Sequence, residues 1–111
     1  MITSLRGKVL SIGDDSIVIE IPAGLGIEVF VTRSLIVHAE VGEELSCYAY
    51  MQISDSGISM FGFSTERERV LFMELLQVKT VGGKLAITLL RHLDVEQVLG
   101  SITAGNTTAL T

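Results

Sequence analysis

The chain has 111 residues, 48% of them hydrophobic and 19% charged, a balance that excludes a disordered chain and suffices for one ordinary domain or two very small ones that support each other. Its formal net charge of −5 speaks against a broad electrostatic hold on nucleic acid, which depends on lysine and arginine. No apolar run reaches the ~18 residues of a membrane-spanning helix, Met1 to Ile12 lack the pattern of a signal peptide, and a mean hydropathy of +0.52 predicts an oligomer that buries apolar surface between subunits.

Period-two patterning governs the first 63 residues. The first strand is expected at about 3–12. Ile17, Ile19 and Ile21 then alternate with Val18 and Glu20, and Ile27, Val29 and Val31 with Glu28 and Phe30, as strands with one buried face do. Turns are predicted at Gly13-Asp14-Asp15 and at Pro22 to Gly26. Further strands are expected at about 44–53 and 57–63, with Asp55-Ser56-Gly57 as the tight turn of the last hairpin. Five short antiparallel strands with glycine-rich turns predict a small barrel of the OB type. Cys47, the single cysteine, falls in a strand-like run and is expected to be a core residue in a reducing cytoplasm.

At Ser64 the period changes. Thr65-Glu66-Arg67-Glu68 has the form of a capping box. Behind it Leu71, Leu75 and Val78, widened by Phe72 and Leu76, mark a helix to about Val78. Leu85, Ala86, Leu89, Leu90 and Leu93 mark a second helix from near Gly83. Asp94-Val95-Glu96-Gln97 reads as the cap of a third, with Val98, Leu99 and Ile102 as its buried side, and Asn106 or Thr107 is a candidate cap beyond it. The expected organisation is a barrel over 1–63 and a helical part over 64–111, an α+β chain.

Charge divides at the same point. Residues 1–63 hold Arg6, Lys8 and Arg33 against Asp14, Asp15, Glu20, Glu28, Glu40, Glu43, Glu44 and Asp55, whereas basic and acidic groups balance in residues 64–111. An anion site, if present, is local and belongs to the second half. Between the first two helices lies Lys79-Thr80-Val81-Gly82-Gly83-Lys84. Two short helices joined by apolar-Gly-x-Lys form a helix-hairpin-helix, in which the glycines allow close approach of the backbone and the first amides of the second helix, with its dipole, favour a phosphate. Lys84 adds a charge beside those amides and Lys79 another. Contacts of this kind read the backbone and not the bases. On these residues alone an ordinary helix-to-helix turn with a solvated lysine is the preferred reading.

Other chemistries find less support. His38 and His92 are isolated, without metal-ligand spacing. No Gly-x-x-x-x-Gly-Lys-Ser/Thr loop is present to bind ATP, and the carboxylate pairs Asp14-Asp15 and Glu43-Glu44 lie in or beside turns, where solvation suits them better than acid/base work. The expectation is a non-catalytic chain without cofactor or metal.

The start Met1-Ile2-x-x-Leu5-Arg6-Gly7, the segment Gly26-Ile27-Glu28-Val29, the run Phe61-Gly62-Phe63 followed by Glu68-Arg69-x-Leu71-Phe72-x-Glu74-Leu75, and Val81-Gly82-x-Lys84-Leu85-Ala86 together resemble the RuvA family of bacterial proteins that recognise four-way Holliday junctions. The resemblance implies an OB-type barrel, two helix-hairpin-helix motifs and a small C-terminal domain that engages the motor subunit RuvB. It further implies a homotetramer holding an opened junction while RuvB hydrolyses ATP for branch migration in recombination, repair and the SOS response to DNA damage, with the resolvase RuvC as a further partner and no membrane. DNA-phosphate contacts would come from Val81, Gly82, Gly83, Lys84 and Lys79. In the family, acidic residues between the last two barrel strands form a central pin that repels phosphates, and the matching positions are Asp55 and Ser56.

Three departures bear on that reading. Ser56 replaces the usual second acid of the pin, Thr80 a usual glycine and Gly83 a usual proline. The sequence also ends near where a second hairpin is expected, so that motif and the RuvB-binding domain are expected beyond Thr111. A protein-protein oligomerisation module without direct DNA contact is the alternative that the acidic charge favours, and an OB-type single-strand binder would need exposed aromatics for stacking.

Overall fold

The computed structural model describes residues 2–92. Five strands, β1 (Ser4–Ile12), β2 (Ser16–Glu20), β3 (Gly26–Val31), β4 (Glu44–Ser54) and β5 (Gly57–Phe63), close into a barrel in the order β1-β2-β3-β5-β4. This is the OB-type barrel expected from the alternation, joined to helices in an α+β chain. One pairing departs from the expected antiparallel set. β3 and β5 run parallel, with Val29 opposite Met60, Phe30 opposite Phe61 and Val31 opposite Gly62. The β4–β5 hairpin is inserted as a unit beside β1, so its second strand returns alongside β3 in the same direction and closes the barrel. Pairing of this kind lies outside what local alternation encodes.

Inside the barrel sit Val9, Ile17, Ile19, Val29, Val31, Leu35, Leu45, Cys47, Ala49 and Met60. Burial pushes the Cys47 thiol up to about 11, against a backbone hydrogen bond at Leu5 that lowers it, as suits a core residue and not a reactive one. Gly7 is the closest approach within the barrel wall, for a Cβ there would collide with the Glu20 carbonyl and the Ile19 side chain. Leu35 comes from α1 (Arg33–Ile36), a single turn that follows β3 and was not expected. Four residues are too few to show a helical period.

β5 is buried on both faces over Met60–Phe63. Met60 and Gly62 turn inward, while Phe61 and Phe63 turn outward beneath the helices. A second core forms there from Phe61, Phe63, Phe72, Ala86, Ile87 and Leu90. Two helices supply the cover. α2 (Glu66–Leu76) starts as the capping box predicts, with Thr65 Oγ1 accepting the Glu68 amide at 3.2 Å. The returning carboxylate of Glu68 reaches one residue further back than expected. It accepts from the Ser64 amide and hydroxyl, each at 2.9 Å, and from the Ser34 hydroxyl at 2.7 Å, tying α2 to α1.

The residue at the centre of the α2 stripe is Phe72, whose ring lies 4.8 Å from Phe61, 5.0 Å from Phe63 and 5.5 Å from Tyr50, tilted in each case. Val78 lies past the helix end and is exposed. α3 spans residues 83–92. Its buried positions are Gly83, Ala86, Ile87 and Leu90, spaced three and four apart. That phase leaves Leu85, expected inside, exposed, and brings in Ile87 instead. The expected inward position of Leu93, the third helix from Asp94 and the cap at Asn106 or Thr107 lie outside the described residues.

Two arginines staple the helices to the barrel. Arg69 donates from Nε to the Ala49 carbonyl at 2.7 Å while pairing with Glu66 at 3.4 Å. Arg91 donates from Nε to the Val31 carbonyl and from Nη2 to the Asp15 carbonyl, both at 3.0 Å. Burial draws the Arg91 guanidinium below its ordinary value, opposed by Asp15 and reinforced by Arg33.

Candidate nucleic-acid interface

The turn between α2 and α3 is built from overlapping short bonds: Gln77 amide to Glu74 carbonyl, Val78 to Leu75 and Val81 to Val78, at 3.0–3.1 Å. Ala86 donates to the Gly82 carbonyl at 2.9 Å, so the first intrahelical bond of α3 begins at Gly82 and the amides of residues 83–85 precede it. Lys79 and Thr80 are exposed on the turn. Val81 is half-buried against the second core.

The two glycines have different surroundings. Around Gly82 an added Cβ would meet nothing within 4 Å, whereas at Gly83 it would meet Gln52 Oε1 and, at 2.6 Å, the Phe61 ring. Neither takes a positive φ. The close approach that a glycine was expected to permit is thus made by Gly83 against the barrel wall, and the open backbone is at Gly82. Four of the residues singled out from sequence therefore face two ways, with Gly82 and Lys84 outward and Val81 and Gly83 inward.

Lys84 is exposed in the first turn of α3, and its carbonyl accepts from Thr88 Oγ1 at 2.8 Å. A cation in a first turn opposes the helix dipole and destabilises the helix by roughly 0.3–1 kcal/mol. Its Nζ stands 4.5 Å from the centroid of the Phe30 ring, at the edge of an open cleft of about 470 Å³ that Glu28, Phe30, Ile58 and Ser59 also line. Phe30 in turn stacks at a tilt on Phe61, 5.8 Å away. Phe30 and Gln52 were missed as parts of this site. The apolar run Val29-Phe30-Val31 held a signal, since an apolar residue on the strand's outer face calls for a cover.

Asp55 and Ser56 form the two-residue tip of the β4–β5 hairpin, both exposed. Ser54 and Ser56 hydroxyls lie 2.9 Å apart, and Gly57 takes a φ of +127°, which an L side chain would adopt only under strain. The base of the same hairpin carries Gln52 and Phe61, the residues against Gly83, so tip and turn share one structural support. A second cleft of about 510 Å³ between β1 and β4, lined by Arg6, Ser46 and Tyr48 among others, brings together no comparable set of groups. Among the described residues no group of three or more His, Cys, Asp or Glu is placed to hold a metal ion, and no helix is long and apolar enough to cross a membrane.

Comparison with known proteins gives this geometry a context. The family model of the RuvA N terminal domain matches residues 1–62. A relative from Thermoanaerobacter sp. (strain X514), named Holliday junction branch migration complex subunit RuvA, is 38% identical over 112 residues, covering 100% of this chain and 59% of its own length. Relatives of the same name from Dichelobacter nodosus (36% identical, 94% of this chain and 50% of the relative) and Bifidobacterium adolescentis (33%, 99% and 53%) agree. The chain spans between 50% and 59% of the length of these relatives. The match to the domain, the barrel order and the relatives across the chain establish that it belongs to the RuvA family.

Proposed function

We propose that the chain is the junction-binding part of a non-motor subunit of a branch migration complex, acting on four-way DNA junctions in bacterial recombination and repair. The observation that carries this reading is Lys84: an exposed cation in a first helical turn, unfavourable for the helix alone, beside the amides of residues 83–85 and the open backbone of Gly82. A phosphate at that place would reverse the penalty. In this reading the barrel (1–63) and the helical part (64–111) are two domains, Val81 to Lys84 grip backbone phosphates with Lys79 beside them, and Asp55 with Ser56 stands at the junction centre. The chain performs no catalysis itself. It works in the bacterial cytoplasm as a homotetramer, with a RuvB-type motor supplying ATP hydrolysis and a RuvC-type resolvase as a further partner.

Gel-shift titration of the full chain with a synthetic four-way junction and with a linear duplex of the same arm sequence tests the proposal. Binding is expected to favour the junction and to weaken as salt rises. Lys84→Ala should weaken it several-fold and lower the salt dependence by about one phosphate contact per subunit. Equal affinity for junction and duplex at low salt would reject the reading.

A second reading, an assembly module without DNA contact from this part of the protein, is favoured by exposed apolar groups such as Val37 (73%), Ile53 (68%) and Ile58 (66%) together with the net charge of −5. An intact oligomer that binds neither the four-way junction nor the linear duplex at low salt would select it.

A further inference from the structure

We infer that Phe30, on the barrel, is a positioning residue for Lys84, so that the phosphate grip is assembled from the barrel wall as well as from the helical hairpin. The inference rests on the reading of Lys84 as a phosphate contact and adds to it the element that aims the ammonium group. Lysine loses much rotamer freedom when it is fixed. The Phe30 face, 4.5 Å below Nζ, restricts that freedom before a phosphate arrives. The face is itself held, because Phe30 lies against Phe61, and Phe61 is fully buried beneath Phe72. An ammonium carries three N–H donors, and a ring on one side leaves donors on the other for a phosphate.

The local carboxylate is not paired with Lys84. Glu28 lines the same cleft, yet its Oε2 accepts from Ser16 Oγ at 3.2 Å, and the single ion pair among the described residues is Arg69–Glu66. An unneutralised ammonium resting on an aromatic face keeps its charge for an incoming anion. Gly83 sets the register of this contact. It abuts Phe61 and Gln52, and the residue after it therefore comes up beside Phe30.

The test is a double-mutant cycle in the full chain, read by titration with synthetic four-way junction DNA. Phe30→Leu should weaken junction binding roughly two- to five-fold, Phe30→Tyr should restore it, and Phe30→Leu should have no further effect in a Lys84→Ala background. Equal weakening in both backgrounds would mean that Phe30 acts on the fold and not through Lys84, and would overturn the inference while leaving the proposed function standing. No effect of Lys84→Ala on its own would overturn both. A second measurement needs no variant. The side-chain methylene protons of Lys84 in the free protein should be shifted upfield by the ring current of Phe30, and resonances at ordinary positions would overturn the inference.

Discussion

Gly82 and Gly83 are adjacent and chemically identical, and the structure gives them opposite tasks. Gly83 is the point where the hairpin touches the barrel, and a single added methyl would press on the Phe61 ring and Gln52. Phe61 is fully buried, so it has little room to retreat. Gly83→Ala is therefore expected to destabilise the protein by about 1–3 kcal/mol, net of any gain in helix propensity, and to weaken junction binding by moving Lys84 off Phe30. Gly82→Ala, with open space around it, is the matched control and should leave the unfolding midpoint almost unchanged. Urea denaturation of both variants decides the matter, and equal midpoints would contradict the docking role given to Gly83. The doublet was legible in the sequence as a turn between two helices. Its division of labour was not, because the contact that defines Gly83 is made by a residue 22 positions away on another element, where no local spacing rule reaches.

At the scale of elements, the barrel and the helices meet through one aromatic row and two arginine staples. Phe30, Phe61 and Tyr50 stand opposite one another on β3, β5 and β4, and Phe72 of α2 packs on Phe61 and Tyr50. The five strands, the start of α2 and the place of Phe72 on its apolar stripe were readable from period and capping, since these are local properties. The parallel β3–β5 pair, the single turn α1 and the inward phase of Ile87 were not, since each depends on which surfaces meet. Arg91 belongs to the same class. Its guanidinium joins α3 to the carbonyls of Val31 and Asp15, and the Asp15 carbonyl also accepts the Val31 amide at 3.1 Å, which places the staple where β3 ends. Arg91→Met keeps much of the side chain's apolar stem and removes both bonds. The expected loss is roughly 1–2 kcal/mol, the net worth of two partly exposed hydrogen bonds, read as a lower denaturation midpoint. Faster amide exchange in α3 than in the barrel should accompany it, and uniform exchange across both would show that the staple does not hold this helix in particular.

For the whole molecule, the acidic balance that first argued against DNA becomes part of the proposed mechanism. Attraction is confined to the hairpin at Val81 to Lys84, and the barrel, with Arg6, Lys8 and Arg33 against eight carboxylates, repels phosphates elsewhere. The tip of β4–β5 carries one of those carboxylates at Asp55, projecting on an exposed turn beside Ser56. In the proposed tetramer four such tips would face the junction centre, where repulsion acts across roughly a Debye length of ~8 Å at physiological ionic strength. Asp55→Asn removes the charge while keeping the size of the side chain and the Ser54–Ser56 contact. Junction affinity is then expected to hold or rise slightly, because a repulsive term is lost, while strand separation at the crossover falls. Ser56→Asp should act in the opposite sense, weakening affinity slightly and widening the crossover. Fluorescence of a 2-aminopurine placed at the branch point reports base unstacking there and separates this effect from binding measured on the same samples. The difference between Asp55→Asn and the parent should also shrink as salt is raised, since screening removes from the parent what the substitution removes from the variant. Identical fluorescence for the two at low salt would exclude a charge-based role for the tip and leave the hairpin as a purely structural support for Gly83.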